Sequence, residues 1–504
     1  MNDTVKEKEW VGYWWLPGQE ENKIQGTLHY KFPSELWLSL ARPFHKKRKY
    51  VLKGGYRSLD VSEKIMQGIT SGGKFTLFNC RLLSDSPSPQ YFIDYAIEGD
   101  YFDNIAKALF KKWTIRLSKY FNSWIGINGI QVEFNKEKEI GKPSIDIKYI
   151  KEPIDEFHFK LDNASQSKEI ILKINPSYDY KIKLKPYAFI LYAFIENNIL
   201  IELEDKNHNG INIKEFIKVI GMLFPLFEFF ANNLLAPKEI YASNGSYKKT
   251  KKLPSSIYLA YSNIYSDNYV RKEYDISKII LPYTDLRTNF QSILEKYLEK
   301  KQFLSPLIDS LRFSRIADAS NTGFYQHDLI FLRLVSALES YCKVFEDKNS
   351  LSTKRFNNFK KIKNIIRQAL SESKIPKDEQ KDILKTFPNN SIGLQKRFER
   401  LNERIGWSKL LKIDSNKMNL YIEDIVDKRN QVAHGDNRET KLSHINLWWS
   451  INVLKILICI TVMKELAIDE KTVEACIKYN REFSRARLEL VKYLKYRKNE
   501  GEPQ

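Results

Sequence analysis

The sequence predicts an α+β protein in which a β-rich N-terminal domain is followed by a C-terminal all-α helical bundle. From residue 10 to about residue 205, short alternating or aromatic runs are broken by Gly, Pro, Asn and Ser, which is the pattern of strands joined by turns. From about Thr284 to Lys498, apolar residues recur instead at helical spacings. The chain has 504 residues, of which 42% are hydrophobic, so it can bury at least two cores and extensive disorder is not expected.

The predicted elements follow one another in a simple order. The clearest strand patterns occupy residues 74–83, 113–120, 145–150, 170–174 and 199–203. The first long helical pattern runs from Asn212 to Leu235, and a polar, basic loop follows it from Asn244. We therefore predict a β-rich domain over residues 1–245, a connecting helical segment over 246–322, the helical bundle over 323–498 and a tail over 499–504.

Charge and cysteine content restrict the class of partner and the cellular compartment. With 82 basic and 62 acidic residues the net charge is +20, which favours a polyanion such as nucleic acid over a small neutral substrate. The first residues are charged and lack the apolar core of an export signal. The apolar run from Ile451 to Met463 is short and interrupted by Lys455, so it is predicted to be a buried helix and not a membrane span. The four cysteines show no metal-type pairing and suit a reducing compartment. We expect a cytoplasmic protein without a metal or cofactor.

Between Arg429 and Gly435 the chain places a guanidinium, a carboxamide and an imidazole within about one and a half helical turns. The apolar residues before this segment recur at helical spacings and Gly435 is a typical helix terminator, so His434 is predicted to lie in the last turn of a helix. Asn430 precedes His434 by four residues. The amide is therefore expected on the same face as the imidazole, where it can orient the ring.

These three side chains suit the cleavage of RNA. An RNA strand carries its own nucleophile, the 2′-hydroxyl, so a catalyst need only move protons and stabilise the charge on the phosphate. Imidazole titrates near neutral pH, which suits His434 to proton transfer. The guanidinium of Arg429 can donate to two phosphate oxygens at once.

The spacing of Arg429 and His434 is not decisive by itself. An Arg followed by a His after four to six residues is expected about once by chance in a chain of this composition, and Arg438 and His444 form such a pair without an Asn directly after the Arg. Requiring Asn directly after Arg and four intervening residues lowers the chance expectation to about 0.02. The alternative role of His434 is that of a structural capping residue at the helix end.

The helices around this segment resemble the HEPN superfamily. The amphipathic helix predicted from Ile330 to Lys343 contains Glu339 in a Glu-x-x-x-Lys arrangement, it precedes Arg429 by about ninety residues, and another helical stretch at 394–401 lies between them. HEPN domains are all-α bundles in which such a helix packs near an Arg-Asn-x-x-x-His helix end. Within that superfamily the bundle is most similar to the HEPN domain of the ApeA family of bacterial anti-phage defence proteins.

The N-terminal half resembles the same family. The segments 12–17, 24–30, 35–40, 73–80 and 97–102 are similar in order and spacing to the N-terminal domain of ApeA proteins. The order of the segments is more specific than any one of them, and together with the bundle it covers most of the chain. The resemblance implies a sensor or regulatory module, for which a phage-derived trigger is the expected ligand, joined to a toxic effector.

Many HEPN domains are metal-independent ribonucleases, so the resemblance implies an RNA endonuclease that blocks phage growth by abortive infection. It also implies tRNA as the leading substrate, and products with 2′,3′-cyclic phosphate and 5′-hydroxyl ends. His434 is the candidate general base or acid, and Arg429 the group that stabilises the phosphate charge. Asn430 would orient the imidazole, and Glu339 is a further catalytic candidate on the facing helix. The candidate RNA contacts are Lys343, Lys361 and Arg438.

Two other functions stay open, and the catalytic one has a consequence for assembly. HEPN-like bundles can bind nucleotides or partner proteins without cleaving anything. The chain could also be an interaction scaffold in which the β-rich domain carries the function.

Cleavage removes one proton from the 2′-hydroxyl and delivers another to the 5′-oxygen, whereas one motif offers a single imidazole. Paired HEPN domains in the family supply both. We therefore predict a homodimer, or a larger assembly of dimers, in which both His434 side chains open onto one basic cleft.

Overall fold

The computed structural model describes residues 7–31, 35–44, 51–53, 56–58, 62–84, 87–117, 124, 130–135, 144–149, 154–162, 167–187, 190–235, 237–244, 255–259, 278–319, 325–345, 353–373, 375–377, 379–380, 393–434, 442 and 444–499. The chain divides into two compact units, Met1–Glu295 and Lys296–Gln504. The first unit is rich in strands and the second is helical, which confirms the predicted fold class.

All the strands among the described residues belong to the first unit. They are β1 (Glu7–Trp15), β2 (Ile24–Lys31), β3 (Glu35–Leu40), β4 (Val51–Lys53), β5 (Tyr56–Ser58), β6 (Ser62–Thr70), β7 (Gly73–Ser84), β8 (Gln90–Phe92), β9 (Tyr95–Glu98), β10 (Leu109–Phe110), β11 (Lys112–Leu117), β12 (Ile130–Asn135), β13 (Ser144–Tyr149), β14 (Asp155–Asp162), β15 (Ser167–Tyr187), β16 (Ile190–Asp205), β17 (Ile211–Asn212), β18 (Pro237–Ser243) and β19 (Ser255–Leu259).

Six of these strands form a closed antiparallel ring in the order β7, β6, β1, β2, β3 and β8, because β8 pairs with both β3 and β7. Every second residue of a strand points to the same face, so the inside of the ring collects Trp14, Leu28, Leu38 and Phe75. Gly68 lies against the ring of Trp14, where an added Cβ atom would come within 2.1 Å of Cε3. This close approach requires glycine at position 68.

The large sheet continues from residues 75–78 of β7, on the edge that pairs further along with β8, in the order β9, β19, β18, β11, β16, β15 and β14. Helix α1 (Ile213–Ala231) covers part of it, since the ring of Phe216 stacks on Trp113 of β11 with centroids 4.0 Å apart. The helix begins with a capping box in which the side chains of Asn212 and Glu215 each accept from the other's backbone amide at 3.0 Å. Strand β19 comes from the segment 246–322, which therefore contributes to the sheet.

The remaining helices follow one another along the rest of the chain. They are α2 (Tyr283–Leu286), α3 (Phe290–Ala319), α4 (Tyr325–Phe345), α5 (Thr353–Glu372), α6 (Leu394–Ile405), α7 (Trp407–Leu411), α8 (Ser415–His434), α9 (His444–Glu465), α10 (Glu470–Tyr479) and α11 (Arg481–Asn499).

Helix α4 is central in the second unit, because it packs against α6, α8 and α9, and α9 packs in turn against α11. Trp407 of α7 is fully buried and donates its Nε1–H to Thr461 Oγ1 of α9 at 3.1 Å. Residues 447–465 of α9 are long and apolar enough to cross a membrane, but 72% of this stretch is buried in the fold, as in the core helix of a bundle. The prediction of a buried helix at 451–463 is confirmed.

Candidate functional site

The candidate catalytic residues lie on two helices in contact, α4 and α8. The buried residues of α8 recur at spacings of three and four, and they are Met418, Tyr421, Ile422, Asp424, Ile425 and Lys428. This register turns one side of α8 towards the bundle. It leaves Arg429 half-buried beside α4, and it leaves Asn430 and His434 exposed in the last turns of the helix.

A buried carboxylate holds α8 to α11. Asp424 is 3% exposed and accepts hydrogen bonds from the Tyr493 hydroxyl at 2.7 Å and from Nε and Nη2 of Arg497 at 3.1 Å each. Burial and the hydrogen bond to Asp424 raise the pKa of Tyr493, which keeps its hydroxyl protonated as a donor. The pair of donors fixes the position of α8 shortly before the segment that contains Arg429 and His434.

Glu339 of α4 is the centre of a cluster of cationic side chains. Its Oε2 lies 3.2 Å from Nη2 of Arg429, and its Oε1 lies 3.0 Å from Nζ of Lys343 and 3.8 Å from Nη1 of Arg397. The side chains of Glu339 and Arg397 are only 17% and 10% exposed. The carboxylate therefore joins α4, α6 and α8 at one point.

The three cations decide the charge of Glu339. Burial alone would raise the pKa of this carboxyl group, but the hydrogen bond from Lys343 and the charges of Lys343, Arg429 and Arg397 outweigh it, so the pKa lies below its usual value. Glu339 is therefore ionised at neutral pH. It can accept hydrogen bonds and position cations, but it has no proton to donate as a general acid.

Two protein oxygens orient the guanidinium of Arg429. Its Nη2 donates to Oε2 of Glu339 and its Nη1 donates to Oδ1 of Asn430, both at 3.2 Å. The side chain is 25% exposed. A guanidinium has five N–H donors in one plane, so it can meet these two oxygens and still donate to a phosphate.

Asn430 and His434 are both exposed, about one helical turn apart at the end of α8. In the described part of the chain no hydrogen bond joins them, since the Asn430 amide oxygen accepts from Arg429. Their spacing of four residues keeps them on one face, so a rotation of the Asn430 side chain would bring the amide towards the imidazole. The exposed imidazole is accessible to a substrate.

The structure brings together some of the predicted RNA contacts and not others. Lys343 belongs to the cluster around Glu339, with a side chain that is 56% exposed. Lys361 is exposed on α5, and no contact among the described residues joins it to Glu339. Arg438 and Gly435 lie outside the described residues.

Arg397 is the member of the cluster that the sequence analysis did not single out. It lies on the buried stripe of α6, four residues before Leu401 and eight before Ile405. An arginine in register with an apolar stripe has to meet a carboxylate, because burying an unpaired charge is costly. The position of Arg397 on the apolar stripe was thus a sequence signal for a buried ion pair, but only the fold identifies the carboxylate as Glu339.

The arrangement as a whole is suited to binding an anion and transferring a proton. Three cations surround one carboxylate, so the cluster has a net positive charge, and an exposed imidazole lies on the same helix as Arg429. Within the residues that the structure describes, no group of three or more His, Cys, Asp or Glu side chains could hold a metal ion. A phosphate is an anion whose oxygens match the planar guanidinium donors.

Comparison with known proteins identifies two family matches along the chain. The family model described as ApeA N-terminal domain 1 matches residues 9–297, which is more than half of the chain. The family model described as Apea-like HEPN matches residues 332–472, which include Glu339, Arg397, Arg429 and His434. No curated protein and no solved structure matches the chain.

Proposed function

Because the chain belongs to the ApeA family, with an ApeA N-terminal domain followed by an ApeA-like HEPN domain, we propose that it is a metal-independent endoribonuclease in anti-phage defence. HEPN domains are generally associated with ribonuclease activity, which supports this reaction class. The N-terminal domain would act as the sensor, with a phage-derived trigger as its ligand, and the protein would work in the cytoplasm. Its leading substrate is tRNA.

The observation that carries the proposal is the placement of Arg429. Glu339 holds this guanidinium in a half-buried position, and the exposed His434 follows it on the same helix. A phosphate bound by Arg429 would lie within reach of that imidazole and of Lys343.

The proposed reaction uses the nucleophile that RNA itself provides. His434 accepts the proton of the 2′-hydroxyl, the 2′-oxygen forms a bond to the phosphorus, and the bond from phosphorus to the 5′-oxygen breaks. An imidazolium delivers the proton that the leaving 5′-oxygen needs. Arg429 stabilises the negative charge that develops on the phosphate, and Asn430 orients the imidazole. The products are a 2′,3′-cyclic phosphate and a 5′-hydroxyl.

The two proton transfers favour a pair of chains. One described motif contributes a single imidazole, whereas the reaction needs a base and an acid at opposite sides of the phosphate. A homodimer, or an assembly of dimers, with both His434 side chains in one cleft would supply both groups.

A non-catalytic phosphate-binding function is the second candidate. The hydrogen bonds of Arg429 favour this second function. Two of the guanidinium donors already bind Glu339 and Asn430, so fewer donors are left to stabilise the charge of a reacting phosphate. In that case Arg429 and Lys343 would bind a nucleotide or an RNA phosphate, and His434 would cap the helix.

Incubating the purified full chain with total tRNA, with and without a chelator, tests the proposal. We expect cleavage that is insensitive to the chelator and is lost in His434→Ala. Asn416→Ala is the matched control, because Asn416 is exposed in the first turn of the same helix and should not affect cleavage. RNA binding without cleavage by the wild-type protein would support the non-catalytic function instead.

A further inference from the structure

The exposed side of α11 combines basic and apolar side chains. We call it the α11 face, and its members are Arg481, Arg485, Leu488, Lys492, Lys495 and Tyr496. They recur at helical spacings and therefore lie along one side of the helix. The stretch from Arg481 to Tyr496 spans about 22 Å along the helix axis.

The contacts made by the opposite side of α11 show which cations of this helix already have partners within the fold. Its buried stripe consists of Phe483, Ala486, Leu490 and Leu494, and it packs against the bundle. Two arginines at the margin of this stripe have structural partners, because Arg487 donates to the Leu411 carbonyl at 2.7 Å and Arg497 donates to Asp424. The four cations of the α11 face point away from these contacts.

Aromatic rings lie among these cations. Tyr496 is 71% exposed and Leu488 is 55% exposed. The guanidinium of Arg485 lies over the ring of Trp449 at 5.0 Å, and Trp449 contacts Trp448, which is 39% exposed, with ring centroids 4.4 Å apart. Alternating cations and accessible rings are the combination with which proteins bind single-stranded nucleic acid, through phosphate contacts and base stacking.

The charge of the α11 face decides between two kinds of occupant. Two carboxylates, Glu482 and Glu489, lie next to the four cations of the face, and Glu489 forms an ion pair with Lys492 at 3.0 Å. A second copy of this chain on the face would bring like charges together, whereas a polyanion would neutralise them. The excess of cations therefore favours a nucleic acid over a copy of the chain.

Helix α11 is connected with the candidate catalytic helix through its other side. Tyr493 and Arg497 of α11 bind Asp424, which precedes His434 by ten residues on α8, or about 15 Å along the helix. A strand lying on the α11 face would therefore be held by a helix that is itself joined, through its other side, to the helix that ends at His434. We propose that the α11 face, together with Trp448 and Trp449, binds a single-stranded segment of the RNA substrate. The identification of the bound RNA as a substrate rests on the proposed ribonuclease function. The binding of RNA to the α11 face does not depend on that function.

The test measures binding of a fluorescent 20-nucleotide single-stranded RNA to the full chain in a His434→Ala background, so that the probe stays intact. The triple substitution of Arg485, Lys492 and Lys495 by Gln should raise the Kd at least about tenfold. It should also lower the slope of log Kd against log salt concentration by about 2, because each phosphate contact on a single strand contributes about 0.7 to that slope. Tyr496→Ala should raise the Kd about tenfold without changing the slope, and Tyr496→Phe should restore binding.

The matched control substitutes Gln for three exposed lysines elsewhere in the second unit, Lys377, Lys417 and Lys471, which removes the same charge. Equal Kd values for the two triple variants would overturn the proposal. So would a change in oligomer size of the α11-face variants in sedimentation, because a second copy would then occupy the face. Cleavage by the wild-type chain is measured separately, so a failure of the ribonuclease proposal leaves the binding result interpretable.

Discussion

At the scale of single residues, one ionised carboxylate organises the candidate site. Glu339 contacts Lys343, Arg397 and Arg429, which come from three different helices. The position of Arg429 thus depends on Glu339 and, through it, on Arg397. Substitutions at these positions are expected to be non-additive, because each one changes the partners left to the others.

The geometry of Arg429 leads to a first prediction. In Arg429→Lys the cleavage rate should fall at least about 100-fold, while RNA binding changes less than about threefold, because lysine keeps the charge but cannot donate to two oxygens in one plane. Single-turnover kinetics and fluorescence anisotropy measure the two quantities. Arg400→Lys, on the exposed side of α6, is the control and should behave as wild type. Turnover near the wild-type rate in Arg429→Lys would assign Arg429 a structural role.

The proposed nucleophile leads to a second prediction, which concerns the substrate. An RNA with a 2′-deoxy substitution at the scissile nucleotide should bind with nearly unchanged affinity and should not be cut, because the attacking oxygen is missing. The same substitution one nucleotide away is the control and should leave cleavage intact. Efficient cleavage at the substituted position would rule out attack by the 2′-hydroxyl.

The lowered pKa of Glu339 leads to a third prediction. Because the folded protein favours the ionised carboxylate, its stabilising effect is fully present above the ordinary pKa of about 4.3 and is lost as the pH falls through the lower pKa of the folded state. Glu339→Gln should therefore lower the free energy of unfolding more at pH 7 than at pH 3. Urea denaturation followed by circular dichroism tests this, with Glu403→Gln, an exposed carboxylate on α6, as the control. A difference that is independent of pH would contradict the ion pairs of Glu339.

At the scale of elements, the connection between α8 and α11 is the clearest structural anchor of the site. Asp424 accepts from both Tyr493 and Arg497, and it is buried between the two helices. Buried ion pairs contribute little net free energy when complete, but removal of one partner leaves an uncompensated charge. This asymmetry makes the anchor testable.

The fourth prediction compares two ways of weakening that anchor. Asp424→Ala should lower the free energy of unfolding by about 3 kcal/mol, because it leaves Arg497, whose side chain is only 16% exposed, without its carboxylate. Tyr493→Phe removes one hydrogen bond and should cost only about 1 kcal/mol. Chemical denaturation of both variants gives the values. Equal effects would show that the carboxylate does not bind the arginine as described.

At the scale of the whole molecule, a strand-rich unit followed by a helical unit is the ApeA arrangement, and the proposed reaction has a consequence for its assembly. The proposed reaction needs two proton-transfer groups, and one chain provides one exposed His434 at the end of α8. A second chain is the simplest source of the other group.

The fifth prediction concerns that assembly. At micromolar concentration the protein should sediment as a dimer, with twice the chain mass of 59.4 kDa, or as a multiple of that dimer. Mixing wild-type chains with an excess of His434→Ala chains should lower the activity per wild-type chain, since mixed dimers contain one imidazole. Mixing with Asn416→Ala chains is the control. An active monomer would contradict the prediction.

Local patterns along the sequence determined the class of each half of the chain. Strand-like alternation predicted the strand-rich first unit, and helical periodicity predicted the helical second unit and the buried helix at 451–463. The register of α8 was equally local, because apolar residues at spacings of three and four decide which side of a helix is buried. That register also leaves His434 exposed, as a substrate-facing imidazole requires.

Contacts between distant residues were decided only by the tertiary structure. The ring of strands closes because β8 pairs with β3 and with β7, and no local pattern specifies a partner across such separations. Likewise Glu339 meets Arg397 and Arg429, which follow it by 58 and 90 residues. By itself the sequence determined which helix face each candidate side chain occupies, because periodicity is a property of neighbours. The packing of α4, α6 and α8 decided which charges meet, since a buried carboxylate requires cations from whichever helices surround it.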